Sequence, residues 1–123
     1  MYELKIITQF AAAHRLENFY GKCEGLHGHN WKVEVFLAGA RLDEAGLLMD
    51  FGRIKAKTNA LLEEIDHKYL NELEAFREQN PSSENLARYL FEQLAAALNR
   101  EGVRVSRVNV WESDTSCASY FQD

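Results

Sequence analysis

Two N-terminal stretches alternate apolar and polar positions. Between Tyr2 and His14, the residues Leu4, Ile6, Phe10, Ala12 and His14 fall in one register, the period of two expected of a half-buried strand. From Leu26 to about Gly39 a second strand is predicted, in which Val33, Val35 and Leu37 alternate with Lys32 and Glu34. Lys32 and Glu34 are expected to face water, as in an antiparallel sheet wet on one side. The polar loop Leu16 to Gly25 separates the two strands, and Ala40 to Gly46 reads as a turn.

The period then lengthens. Ile54, Leu61, Leu62 and Ile65 share a helical face, with Asp50 placed to cap the N-terminus and the helix stopping near Asp66-His67. A connector from Tyr69 to Pro81 holds a short helical turn near Glu72 to Arg77. Ser82 caps a second helix running to about Arg100, with Leu86, Leu90, Leu94 and Leu98 as its core stripe, Tyr89 and Ala97 beside it, and Gly102 as its stop signal. Val103 to Glu112 is a third strand whose apolar phase slips between Val105 and Val108, which predicts a bulge near Ser106. Thr115 to Phe121 is a fourth.

The order ββααββ describes an α+β fold: an antiparallel four-stranded sheet with two helices on one face, in a single domain over residues 1–123. Such a sheet leaves two edges and one open face, so an oligomer is expected.

The chemistry concentrates at the strand ends. His27 and His29 flank Gly28 at the start of the second strand, so period two projects both imidazoles from one face. Antiparallel pairing brings His14, at the end of the first strand, opposite them. Three histidines without a fourth protein ligand describe a zinc site with one open position. Cys23 lies four residues before His27; as a fourth ligand it would close the site and make it structural. His67 follows Asp66 at a predicted helix end, where a histidine also suits the helix dipole.

Composition narrows the picture. A chain of 123 residues with 46% hydrophobic and 27% charged positions carries one modest core. Net charge is −5 without a basic cluster, so no nucleic-acid footprint is visible. No apolar run approaches the roughly 18–20 residues that span a bilayer, and Glu3 and Lys5 stand where a signal peptide would be apolar. The expectation is a cytoplasmic protein without a membrane partner. In that compartment Cys23 and Cys117 do not make a disulfide framework, and Cys117 is expected to be a small core residue.

The motifs Phe10-x-Ala12-Ala13-His14, Cys23-x-x-x-His27-Gly28-His29-Asn30, Met49-Asp50-Phe51, Asp66-His67-Lys68-x-Leu70-Asn71, Asn80-Pro81-Ser82-x-Glu84-Asn85, Val110-x-Glu112-Ser113 and Ala118-x-Tyr120 resemble those of the tunnelling-fold pterin synthases. That family includes the 6-pyruvoyl- and 6-carboxytetrahydropterin synthases. The resemblance runs almost end to end. One departure is Ser82, where the family usually has Thr; the two are interchangeable as caps.

The resemblance implies a zinc-dependent lyase acting on 7,8-dihydroneopterin triphosphate. It also implies a homohexamer of two trimers with sites between subunits. His14, His27 and His29 would bind Zn2+, Cys23 would be the acid/base supported by Asp66 and His67, and Glu112 would anchor the pterin. Glu112 could instead be a solvated strand end. For the triphosphate, Lys22, Lys68 and Arg15 are candidates by sequence proximity.

The three-residue spacing between Cys23 and His27 resembles the bacterial carboxy enzymes of queuosine and deazapurine biosynthesis. The animal pyruvoyl enzymes have a longer loop there. A pyruvoyl synthase, a dihydroneopterin aldolase-like enzyme and a non-catalytic zinc-stabilised binding protein are the alternatives.

Overall fold

The computed structural model describes residues 1–18, 20–21 and 25–122. Its long strands follow the alternation closely. β1 spans Tyr2–His14 and β2 spans His27–Gly39. They pair antiparallel along their whole length, with Phe10 opposite Trp31, Ala12 opposite His29 and His14 opposite His27. β4 (Val103–Ser113) and β5 (Ser116–Phe121) complete the antiparallel part.

A fifth strand was not expected. β3 is only Lys68–Tyr69, and it pairs parallel with Ala12 and Ala13 of β1. The sheet is therefore mixed, in the order β3-β1-β2-β4-β5, and not the four-stranded antiparallel sheet of the sequence reading. Two residues are too few to display a period.

The bulge near Ser106 is present. Phe36 pairs with Arg107 and Leu37 with Val105, which leaves Ser106 without a partner in the β2–β4 ladder. A second slip lies between β4 and β5. Trp111 pairs with Cys117 and Ser113 with Ser116, so Glu112 is the extra residue there. A bulge re-aims a side chain, and at Glu112 this serves the site.

α1 spans Phe51–Glu63, capped by Asp50 Oδ1, which accepts from Gly52 N–H at 3.0 Å. α2 spans Ser83–Leu98, and Ser82 Oγ accepts from Asn85 N–H at 3.1 Å. Both ends stop short of their expected limits. α1 closes at Glu63, before Asp66, and Gly102 does not end α2. Asn99 caps α2, while Gly102, at φ +82°, serves the turn that returns Arg100 to Val103. The stripe Leu86, Leu90, Leu94 and Leu98 is buried, but Ala87 and Phe91 widen it and Ala97 faces solvent. The helices cover Ile6, Phe10, Trp31, Val33, Val35, Leu37, Val108 and Val110 in one core.

The opposite sheet face is less wet than expected. Glu34 is buried, accepting from Trp111 Nε1 at 2.6 Å and Asn109 Nδ2 at 3.2 Å, with Lys5 Nζ at 3.5 Å. Burial alone would raise its pKa. The two hydrogen bonds and the charges of Lys32 and Lys5 outweigh that and hold it below the ordinary range. Lys5 lies over the Phe36 ring, Lys32 over Trp111 and Arg107 over Phe121, so large aromatics share this face with the charges. Cys117 is exposed on β5 rather than in the core. The phase of β5 sets this: Cys117 pairs with Trp111 on the open face, whereas Tyr120 packs on Phe91.

Candidate functional site

The paired ends of β1 and β2 build a histidine cluster. The β1–β2 register puts His14 and His27 directly across from one another, and His29 stands two residues on along the same face. Ring centroids lie 5.0 Å apart for His14–His27, 5.1 Å for His14–His29 and 4.8 Å for His27–His29. Trp31 is the floor. It is fully buried, stacks on Phe10, donates from Nε1 to the Ala12 carbonyl, and meets His14 and His29 edgewise.

The ring orientations are fixed from behind. His14 Nδ1 donates to the Pro81 carbonyl at 2.8 Å, and His27 Nδ1 donates to the Gly25 carbonyl at 2.8 Å. Backbone acceptors at Nδ1 set the tautomer that turns an Nε2 lone pair away from the carbonyl, the usual arrangement behind a metal-ligating imidazole. His14 is 2% exposed, and its buried Nε2 has no hydrogen-bond partner among the described residues. An orphaned acceptor of that kind costs about 1–3 kcal/mol unless something occupies it. The residues present therefore fit a metal ion. His14, His27, His29 and Glu112 each offer one ligand atom, and those atoms all lie within 4.8 Å of one another.

Glu112 also belongs to this cluster, a placement that the sequence reading did not include. It was expected at a ring-binding position; its Oε1 lies 3.0 Å from His29 Nε2 and 3.6 Å from His14 Nε2. Ser83 Oγ, at the start of α2, donates to Oε2 at 3.3 Å. The bulge that aims this carboxylate leaves no mark in the alternation before Glu112.

Asp66 and His67 form a separate pair on the other flank of β1. His67 Nδ1 lies 3.0 Å from Asp66 Oδ1. Both are clamped to Ala11, whose N–H donates to Asp66 Oδ1 at 2.9 Å and whose carbonyl accepts from His67 N–H. The Ala11 N–H is the main cause that holds the Asp66 carboxylate below the ordinary aspartate range. Burial opposes it and His67 reinforces it. His67 has φ +58°, a left-handed conformation that costs a non-glycine residue of order 1–3 kcal/mol and persists where surrounding bonds over-determine it. It stands beyond the end of α1, so the helix-dipole reading does not describe it.

This dyad and the histidine cluster are separate groups. The two are joined by a cleft of about 540 Å³ lined in part by Ala13, His29, His67, Lys68 and Tyr69. Cys23 and Lys22 lie outside the described residues. Of the other cations considered for a triphosphate, Lys68 lines the cleft, while Arg15 Nη2 lies 3.4 Å from Glu17 Oε1.

The segment leading toward Cys23 is tethered at its start. Asn71 accepts from Arg15 N–H and donates to its carbonyl, both at 2.9 Å; Asn80 does the same to Glu17 at 2.7 Å. Each amide thus mimics a neighbouring strand. Both asparagines stand in motifs singled out from the sequence, but neither had a role there.

Residues 3–123 match the family model of 6-pyruvoyl tetrahydropterin synthase. The chain is 39% identical over 118 residues to a 6-carboxy-5,6,7,8-tetrahydropterin synthase of Synechocystis sp., covering 91% of this chain and 87% of that protein. It is 31% identical to a dihydroneopterin monophosphate aldolase of Pyrococcus furiosus, over 87% and 86% of the two chains. The fold superposes on the 6-pyruvoyl tetrahydropterin synthase of Caenorhabditis elegans with a TM-score of 0.86 at 26% identity, covering 99% of this chain and 96% of the other. With its histidine cluster at the end of a β1–β2 ladder and this match along nearly its whole length, the chain belongs to the 6-pyruvoyl tetrahydropterin synthase family.

Proposed function

We propose that the protein is a zinc-dependent 6-carboxytetrahydropterin synthase. With one molecule of water, it converts 7,8-dihydroneopterin triphosphate to 6-carboxy-5,6,7,8-tetrahydropterin, acetaldehyde and triphosphate, a step toward queuosine and related deazapurines. The observation that carries this reading is the convergence of three imidazoles whose outer nitrogens are held by backbone carbonyls or lie on one strand face. The likeness to the Synechocystis relative and the short Cys23–His27 spacing favour the carboxy product.

His14, His27 and His29 would hold the ion, since neutral nitrogen donors suit zinc. Zinc, when bound, acidifies the side-chain hydroxyls of the substrate. Cys23 takes a proton from the carbon next to the ring, a task a thiol performs as its thiolate. Asp66, itself fixed by the Ala11 N–H, orients His67 through Nδ1 and leaves Nε2 to move a proton. Glu112 offers its carboxylate to the guanidine-like edge of the pterin.

The test is to identify the pterin product. Metal-loaded protein given dihydroneopterin triphosphate is expected to yield 6-carboxytetrahydropterin. Accumulation of 6-pyruvoyl-tetrahydropterin would establish the pyruvoyl alternative instead. The Pyrococcus relative motivates a parallel incubation with dihydroneopterin monophosphate, and cleavage of that compound in preference to the triphosphate would favour an aldolase.

A hexamer with sites between subunits belongs to the same proposal. Among the described residues β1 pairs with β3 only at Ala12 and Ala13 and its outer edge from Tyr2 to Phe10 carries no strand, with Tyr2 and Ile7 exposed. β5 is the opposite edge of the sheet and carries the exposed Phe121. Edges of this length invite strands of other copies. Joining copies would also let one chain's Asp66–His67 serve another's histidine cluster. Light scattering at micromolar concentration is expected to give a six-chain mass; a mass near the 14.1 kDa of one chain would contradict it.

A further inference from the structure

We propose that Glu112 is a fourth, displaceable ligand of the metal centre. In the substrate-free protein its Oε1 closes the position that the three histidines leave open, and it departs when a pterin arrives. This rests on the histidine reading above and adds to it a resting state of the site.

Zinc–ligand bonds of about 2.0–2.1 Å in a tetrahedral site put neighbouring donor atoms about 3.3 Å apart. Glu112 Oε1 lies 3.0 Å from His29 Nε2 and 3.6 Å from His14 Nε2. The two values straddle that separation, and all four ligand atoms lie within 4.8 Å of one another.

His14 Nδ1 donates to the Pro81 carbonyl, so a ring without a second proton turns a lone pair at Nε2 toward Oε1. A nitrogen lone pair and a carboxylate oxygen are both acceptors. A cation between them turns their repulsion into attraction.

Glu112 is the extra residue of a β-bulge, a local device for turning a side chain out of ladder phase. Ser83 Oγ takes Oε2 in a long hydrogen bond of 3.3 Å, which leaves Oε1 for the metal. The side chain is 35% exposed, whereas His14 is 2% exposed. The acid therefore stands at the mouth of the centre and the histidine at its base, so the acid is the member free to swing away.

A consequence follows for substrate binding. The carboxylate that faces the metal is the same one proposed to receive the pterin ring. Binding of the ring would draw Glu112 off the ion and free a position as the substrate's own hydroxyls approach. The open site of the reaction would then form only with substrate in place.

Cobalt(II) is the probe, read by visible absorption and by competition with a chromophoric chelator. The wild-type protein is expected to bind one Co2+ per chain with a four-coordinate band that changes when dihydroneopterin is added. Glu112→Gln is expected to bind Co2+ at least 10-fold more weakly and to show a different band without pterin. Glu112→Asp keeps the charge but shortens the reach by one methylene, and the same loss is expected; it decides the matter if the Gln variant fails to fold. Wild-type affinity and spectrum in a folded Gln or Asp variant would overturn the fourth-ligand proposal and leave the histidine centre standing. Failure of the wild-type protein to bind Co2+ at all would overturn both.

Discussion

Replacing His14 with alanine is expected to strip the protein of its metal and to end turnover. His14 is the most enclosed of the cluster and presents a buried Nε2 to it. Losing even an outer partner of a metal ligand typically costs 10–100-fold in affinity, so losing the ligand itself should cost more. The substitution also leaves the Pro81 carbonyl without its donor and opens space above Trp31. Roughly 1–3 kcal/mol of stability should go with the lost donor alone. Metal affinity by chelator competition, with thermal unfolding of both metal-free proteins, separates the two effects. A His14→Ala protein that bound zinc as tightly as wild type would remove His14 from the centre.

Cys23→Ala is expected to behave in the opposite way. Zinc should remain near one per chain, because His14, His27, His29 and Glu112 already offer four ligand atoms among the described residues. Turnover should fall by the order of 10²–10⁴, the usual contribution of a positioned acid or base. Metal analysis and single-turnover kinetics on the same preparation give both numbers. A metal-free Cys23→Ala protein would make the thiol a ligand and the site structural.

These two substitutions bear on the part of the molecule most legible in the sequence. The alternation Leu4, Ile6, Phe10, Ala12, His14 set the face of β1, and His27-Gly28-His29 set that of β2. Period two then requires the three imidazoles to meet, because a slip of one residue would turn every core side chain to the other face. The caps at Asp50 and Ser82 were readable for a similarly local reason: a short oxygen-bearing side chain just before an apolar helical period.

What could not be read depends on contacts distant in sequence. β3 consists of two residues and exists because Ala12 and Ala13 offer it an edge. The left-handed backbone of His67 follows from the Ala11 carbonyl that receives its N–H, 56 residues away in sequence by the numbering. Glu34 looked like a solvent-facing strand residue. It is buried because Trp111, Asn109 and Lys5 come from two neighbouring strands to cover it. Glu112 stands in a motif singled out from the sequence, but its aim at the histidines depends on a bulge that appears only once β5 is paired.

The identity of the reaction turns on one carbon–carbon bond of the substrate. In the carboxy reaction the bond between the first and second side-chain carbons breaks; in the pyruvoyl reaction all three carbons stay. Both expel triphosphate. The most direct measurement is therefore the ratio of acetaldehyde to triphosphate released by the zinc-loaded protein from 7,8-dihydroneopterin triphosphate. Equal amounts, rising together through the time course, are the predicted result. Triphosphate released without acetaldehyde would contradict the assignment.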